Sequence, residues 1–374
     1  MKIVQIIHSL RRGGAERVCL QLAGGLKKKG HEVTVLSLYR NNDYGELIQA
    51  HGLRHIGLHD GDENGLSRDF FRLVRRLRRE VAIIAPDIVH VHLPTAALVA
   101  FFAWRRAQVF TIHSTKEFFW GQESLSQKVL CLLSRIAMKK SSTSLVAVSG
   151  DSADAYRRFY HLEKEVRVVK NGVDTEMFSL GERGSGRVQD LMTRIIMVGT
   201  LCETKNQKMA LHAMQLLKLG GHNVQLTVVG DGPQKDELIA LAKKLGVERE
   251  VVFAGQRKDV KQLMGSSDLF WHTSRYEGLP MVLLEAMAMK LPVICTDIDG
   301  VKQICRHEES ALLAAVDDCL QLASHTELVI SRPAFAEQMA LNAHALVMSS
   351  YTNEQMVCGY ERLYREMHFK ADRA

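Results

Sequence analysis

Two glutamates, Glu277 and Glu285, stand in "SRYEGLPMVLLEAMAMK" (274–290), where Glu285 is the sole charged residue between positions 278 and 289. Pro280 suits the first turn of a helix, which leaves Glu277 in the loop before it and Glu285 about a turn and a half inside. The expected helix is apolar on all sides, so Glu285 should be buried, and a buried carboxylate is costly unless hydrogen bonds reach it. A ribose diol supplies two such bonds to one carboxylate. The backbone at the helix start, Gly278, Leu279, Pro280, Met281 and Val282, would hold phosphate oxygens, and Glu277 would meet a sugar hydroxyl beyond a diphosphate. Two glutamates alone equally fit a plainer arrangement, with Glu285 paired to a neighbouring Lys or Arg and Glu277 solvated.

Other positions have chemistry to offer. Lys205, in "MVGTLCETKN" (197–206), reads by itself as a solvated helix-terminal lysine. Gly13 and Gly14 follow the first predicted strand, where missing side chains allow backbone to approach a ligand; the spacing fits neither a dinucleotide fingerprint nor a P-loop. His113 ends a predicted strand at 108–112, a place that suits a structural histidine as well as a ligand contact. His90 and His92 share one strand face at period two. Two ligands are too few for a metal site, and no Asp-x-Asp pair lies nearby, so no metal is expected. "VVGDGP" (228–233) and "GQRKDV" (255–260) also follow predicted strands, and Arg257 could reach a ligand edge or simply be solvated.

The elements that must position these residues follow from an alternation of short β-branched runs with helix-period stretches. Strands are predicted at "KIVQIIH", "HEVTVLSL", "LRHIGL", "DIVHVHL", "QVFTIHS", "SLVAVS" and "VRVVKNG", then at "RIIMVGT", "VQLTVVGDG", "VVFAG", "DLFWHTS", "PVICT" and "ALLAAV". Between the two sets lies a Gly-, Ser- and charge-rich linker, "SLGERGSGRVQD" (179–190). The expectation is two doubly wound α/β domains in series, a first at 1–175, completed by a C-terminal helix at 350–374, and a second at 176–349. Ligands of such sheets sit beyond the carboxyl ends of the strands, and two such domains are expected to face one another across a cleft.

A chain of 374 residues suffices for two ordinary domains, and 46% apolar with 24% charged residues is a globular composition. Seven cysteines without a Cys-x-x-Cys pair give neither a disulfide framework nor a zinc knuckle, and a reducing compartment is expected. No window looks like a signal sequence or a membrane span. The net charge of +7 gathers at 66–80, where Arg68, Arg72, Arg75, Arg76, Arg78 and Arg79 alternate with Leu66, Phe70, Leu73, Val74 and Leu77. Such a helix fits an anionic leaflet or an ordinary solvated face. Aromatics do not interleave with the arginines, so nucleic acid is not an expected partner. The expected location is cytoplasmic, peripheral on the inner face of the cell membrane.

Taken together, these stretches resemble the retaining glycosyltransferases of family 4. "SRYEGLPMVLLEAMAMKLPVICTDIDGV" is similar to that family's E-x7-E nucleotide-sugar segment, "NGVDTEMF" (171–178) to its interdomain motif, "GGAERVCLQLAGGLKKKGHEVTVLSL" (13–38) to its opening strand-loop-helix, and "SYTNEQMVCGYERLY" (350–364) to its closing helix. The resemblance implies a GT-B fold and transfer of a sugar from a nucleoside diphosphate, UDP in preference to GDP, to a hydroxyl of a glycan or lipid-linked acceptor, with no cofactor. It further implies that His113, Glu277 and Lys205 act at the sugar and leaving group, while Gly14, Gly278 to Val282, Glu285 and Arg257 bind the donor. The chain departs from the pattern at Thr200, where the family usually has a phosphate-binding Arg, and at Gln303, where it often has Glu. A nucleotide-sugar epimerase of the same fold, or a sugar-binding relative without turnover, would also fit the residues; the epimerase needs strong acid/base groups facing the sugar and no acceptor site.

Overall fold

The computed structural model describes residues 1–11, 13–61, 66–104, 106–113, 133, 136, 143–179 and 192–371. From residue 180 onward, the linker expected at 179–190 lies outside them. The chain divides into one unit of Met1–Gly172 with Asn353–Ala374 and a second of Val173–Thr352.

In the first unit, the β-branched runs become β1 (Lys2–Ile7), β2 (Glu32–Tyr39), β3 (Arg54–His59), β4 (Ile88–His92), β5 (Gln108–Ile112), β6 (Thr143–Ala147) and β7 (Val166–Val168). They form one sheet in the order 3-2-1-4-5-6-7, with every pair parallel. Between them run helices α1 (Gly14–Lys28), α2 (Gly45–Ala50), α3 (Leu66–Ile84), α4 (Pro94–Ala103) and α5 (Gly150–Tyr160). The central strands read as nearly continuous apolar runs because helices cover both faces of the sheet. Leu73, Leu77, Val81 and Ile84 of α3 pack with Val89, Val91 and Phe110 in one buried cluster.

The second unit repeats the plan. Strands β8 (Thr193–Val198), β9 (Val224–Val229), β10 (Val251–Gly255), β11 (Leu269–His272), β12 (Val293–Thr296) and β13 (Leu312–Ala314) form an all-parallel sheet in the order 10-9-8-11-12-13. Its helices are α6 (Gln207–Leu219), α7 (Lys235–Lys244), α8 (Val260–Gly265), α9 (Met281–Ala288), α10 (Asp299–Lys302), α11 (Cys319–Ser331) and α12 (Pro333–Ser350). Trp271 is fully buried in the core and places its indole N–H 3.2 Å from the Thr326 hydroxyl on α11. This is the doubly wound architecture anticipated from the alternating pattern, and each sheet reverses its winding once: at β1/β4 in the first and at β8/β11 in the second.

The last helix, α13 (Asn353–Ala371), returns to the first unit and buries Met356, Val357, Tyr360, Leu363 and Tyr364. It packs on α1, where Gly25 allows close approach: a Cβ there would fall 2.4 Å from Val357 Cγ2. No helix among the described residues is long and apolar enough to cross a membrane.

Gly25→Ala tests that contact. On helix propensity alone the change should add about 1 kcal/mol of stability. Because valine is stiff at χ1, we expect overpacking to win, with a net loss of roughly 1–3 kcal/mol by urea unfolding. A midpoint above that of the parent would show that the α1–α13 contact yields without cost.

Candidate active site

In the second unit, β8 and β11 are neighbours that the chain leaves in opposite winding directions, and the loops beyond their carboxyl ends, 199–206 and 273–280, carry the candidate residues. Ligands of open α/β sheets bind at such switch points. Residues just past β11 stitch the two loops together. The Thr273 hydroxyl bonds to the carbonyls of Lys205 at 2.8 Å and Asn206 at 3.1 Å, and the Arg275 backbone N–H donates to the Thr204 carbonyl at 2.8 Å. The Thr204 and Tyr276 hydroxyls also bond to one another. From beyond β13, Asp317 accepts from Asn206 Nδ2 at 2.9 Å and Arg275 Nη1 at 2.8 Å.

This stitching brings Lys205 and Glu277 together. Three groups converge on a single carboxylate oxygen, Glu277 Oε1: the Lys205 ammonium, the Ser274 hydroxyl at 2.8 Å, and His272 Nε2 at 3.3 Å. Burial alone would raise the Glu277 carboxyl, but the Lys205 charge and the His272 contact outweigh it and hold the group well below the usual carboxylate range. Glu277 is therefore an anion with a cation beside it. The loop's path leaves no room at Gly300, near the start of α10, where a Cβ would lie 2.6 Å from the Glu277 carbonyl oxygen and 2.8 Å from that of Gly278.

Helix α9 starts directly after this loop, with Pro280 as its N-cap. Of the backbone expected to hold phosphate, Gly278, Leu279, Met281 and Val282 have an N–H to offer, but Pro280 has none; its contribution is a fixed φ that aims the helix. Glu285 is the fifth residue of α9 and fully buried, in company with Leu283, Leu284 and Met287. The loop at 230–233 packs beneath the 199–206 loop: Gly230 has φ +140°, and a Cβ there would lie 1.9 Å from the Gly199 carbonyl oxygen. Thr200 is exposed, and its carbonyl accepts from Gln207 Nε2 at 2.9 Å. Arg257 stands apart from this group. It follows β10, at the sheet edge two strands from β8, and its guanidinium forms a bidentate pair with Asp259 at 2.8 and 2.6 Å.

The first unit places Gly14 as the first residue of α1, with nothing within 4 Å of where a Cβ would be. Tyr44 braces the preceding residue by donating its hydroxyl to the Gly13 carbonyl at 3.0 Å. His113 lies half-buried just beyond β5, with its Nε2 2.9 Å from His92 Nδ1. Burial lowers the His113 imidazole to about 3, and burial, with the neighbouring histidines, also holds His90 and His92 well below the ordinary value. All three are neutral at physiological pH. No group of three or more His, Cys, Asp or Glu side chains among the described residues has metal-holding geometry.

Sequence reasoning passed over His272, Thr273, Ser274, Tyr276, Asp317, Gly300 and Tyr44. A signal existed for the first three, a polar run at the end of the apolar strand in "DLFWHTS". For Asp317 there was none, because its role depends on how β13 lies in the sheet.

Two family models match the chain: "Glycosyltransferase Family 4" over residues 12–177 and "Glycosyl transferases group 1" over residues 185–345. Among curated relatives, a Campylobacter jejuni N-acetylgalactosamine-N,N'-diacetylbacillosaminyl-diphospho-undecaprenol 4-alpha-N-acetylgalactosaminyltransferase is 26% identical, over 85% of this chain and 87% of its own length. A second C. jejuni protein, a GalNAc-alpha-(1->4)-GalNAc-alpha-(1->3)-diNAcBac-PP-undecaprenol alpha-1,4-N-acetyl-D-galactosaminyltransferase, is 27% identical over 92% of each chain. Among solved structures, Anabaena Alr3699/HepE in complex with UDP superposes with a TM-score of 0.82 at 20% identity, covering 98% of this chain and 100% of that one.

The Glu277 cluster predicts an acid-sensitive contribution to stability. A carboxyl depressed on folding stabilises above its unfolded value and loses that stabilisation as pH falls toward its folded value. Glu277→Gln should therefore be less stable than the parent at pH 7, and the difference should shrink as pH falls below an ordinary glutamate's 4.5. A difference that stays constant from pH 7 to pH 3 in thermal melts would show that the ion pair contributes nothing.

Proposed function

The chain is a glycosyltransferase of the GT-B type, and on that premise we propose that it moves a sugar from a nucleoside diphosphate to a hydroxyl of a glycan or lipid-linked acceptor, retaining anomeric configuration, in assembly of cell-envelope polysaccharide or lipopolysaccharide. The observation that carries this reading is the convergence of Lys205, Ser274 and His272 on Glu277 immediately before α9, with Glu285 buried one turn into that helix. The ribose hydroxyls would bond to Glu285, and the amides of Leu279, Met281 and Val282 would hold diphosphate oxygens. Glu277, fixed as an anion, would accept from a sugar hydroxyl, and His113 is assigned to the same sugar.

Retention through a covalent intermediate would call for a nucleophile at the anomeric carbon. The proposed course needs none: the bond to the diphosphate breaks, the acceptor oxygen attacks from the same face, and the leaving phosphate oxygen takes the acceptor's proton. Lys205 and the helix-start amides stabilise the charge that develops, which makes the reaction metal-independent in this proposal. With Thr200 at the usual arginine position, Lys205 bears more of that task. A UDP-sugar is the preferred donor, a choice supported by the UDP complex of HepE. A lipid-linked acceptor is supported by the diphospho-undecaprenol named for the C. jejuni relatives.

Lys205→Ala should lower kcat roughly a hundred-fold while changing donor Kd far less, because leaving-group charge grows in the transition state. Measured by calorimetry and product formation, an unchanged kcat would remove Lys205 from catalysis.

The inner membrane face is proposed as the place of action. On α3, Arg76 and Arg78 are committed to the carbonyls of Leu58 and Phe102. Arg68, Arg72, Arg75 and Arg79 form one exposed stripe, flanked by Phe71 (84% exposed) and Ile83 (62% exposed). Basic charge beside unburied apolar side chains suits an anionic leaflet, at about 1 kcal/mol per arginine. Replacing Arg72, Arg75 and Arg79 with Gln should abolish low-salt co-sedimentation with phosphatidylserine vesicles and leave the melting temperature unchanged. Co-sedimentation equal to the parent's would reduce α3 to a solvated face.

A further inference from the structure

Two residues of the second unit that are not glycine take a left-handed backbone and bond to each other, 111 residues apart in sequence. Asn206 has φ +51° and Asp317 φ +67°, and Asn206 Nδ2 donates to Asp317 Oδ1 at 2.9 Å. This region of backbone space is strained for an L-residue, less so for Asn and Asp than for others, and glycine would occupy either place freely. Such strain persists where the surrounding structure requires the side chain.

At Asp317 the carboxylate does little for folding. It meets the Arg275 guanidinium twice, with Nη1 2.8 Å from Oδ2 and Nη2 2.8 Å from Oδ1, but the two side chains are 35% (Arg275) and 50% (Asp317) exposed. An ion pair so open to water contributes little to stability. What the carboxylate does instead is join three segments. The turn that carries it is held from α11: Asp318 accepts from the Gln321 backbone N–H at 2.9 Å, and Gln321 Oε1 accepts from the Ala315 N–H at 2.7 Å. From that base Asp317 grips Asn206, the residue after Lys205, and Arg275, the residue after Ser274. Lys205 and Ser274 are two of the three groups that converge on Glu277 Oε1. Arg275 also reaches back to the first of these loops, where its Nε lies 3.5 Å from Glu203 Oε1.

We propose that Asp317 is a positioning residue for the transfer reaction: by holding Asn206 and Arg275 together it sets the Lys205 ammonium and the Ser274 hydroxyl on Glu277, and it does so from a strained backbone that glycine would relieve. The effect on sugar transfer rests on the glycosyltransferase reading given above. The effect on the Lys205–Glu277 pair is a property of the chain without substrate.

The test compares Asp317→Gly and Asp317→Asn with the parent by thermal melts, steady-state kinetics and 13C titration of the Glu277 carboxyl in the full chain without ligand. Glycine removes the strain and the carboxylate together, whereas asparagine tolerates the left-handed backbone and keeps one acceptor oxygen. Asp317→Gly should melt no lower than the parent, while kcat falls roughly ten-fold with donor KM little changed, because a loosened Lys205 loses stabilisation that is greatest in the transition state. Asp317→Asn should recover most of that loss. The Glu277 titration midpoint should rise in Asp317→Gly relative to Asp317→Asn, which has lost the same charge. Adding Asn206→Gly to Asp317→Gly should slow the enzyme no further, since the contact they share is already gone. A parent-like kcat in Asp317→Gly overturns the inference, as does an unmoved Glu277 midpoint. A melting temperature well below the parent's, or failure to fold, overturns it as well by making Asp317 a residue of the fold. If the parent transfers no sugar to any acceptor, the glycosyltransferase reading falls by itself, and the melts and the Glu277 titration decide the role of Asp317.

Discussion

An ion pair between two loops underlies the second unit's site. Lys205 and Glu277 are 72 residues apart in sequence, yet the reversal of winding between β8 and β11 puts their strand ends side by side. Bringing the two groups out of water is costly, and the cost is offset only when geometry and further hydrogen bonds are good. Ser274 and His272 provide those bonds, and Thr273, Asp317 and the space at Gly300 hold the loops that make them. A lysine so placed is fixed in direction before any substrate arrives, the preorganisation that the proposed role toward a leaving group needs.

The first unit meets a different demand. Its His90 and His92 are buried and neutral, and their ring nitrogens meet partners distributed over β1, β5 and α13: Gln5, Thr111 and Tyr364. One unit thus pairs charges at the carboxyl ends of the strands flanking its sheet's reversal, and the other carries neutral polar groups in the middle of β1 and β4.

Much of the architecture was legible in the sequence because central strands of parallel sheets are β-branched and apolar, and helix-period stretches separate them. Glu285 was legible as buried because nothing around it is polar. Legibility failed wherever a role depends on sheet order or on contacts made by distant segments. Asp317 reaches the site only because β13 joins the far side of the sheet. Tyr360 and Tyr364 read as part of a closing helix, with no sign that their hydroxyls complete a polar chain beginning at residue 5. Arg76 looked like one more cation on a basic face, and only the packing of α3 on β3 commits it to the Leu58 carbonyl. Of the helix-start backbone expected to hold phosphate, Pro280 brings direction to α9 but no donor.

The return of α13 to the first unit bears on biosynthesis. Gln5 and Tyr364 are 359 residues apart, so at translation rates of about 5–20 residues per second the first strand waits roughly 20–70 s for the hydroxyl that satisfies it. During that interval the nascent first unit holds polar groups without their final partners and an uncovered α1 surface at Gly25. The second unit, a single contiguous stretch from Val173 to Thr352, has all its own strands before α13 is made. The order of maturation is therefore inverted with respect to the order of synthesis: the segment translated first completes its core last.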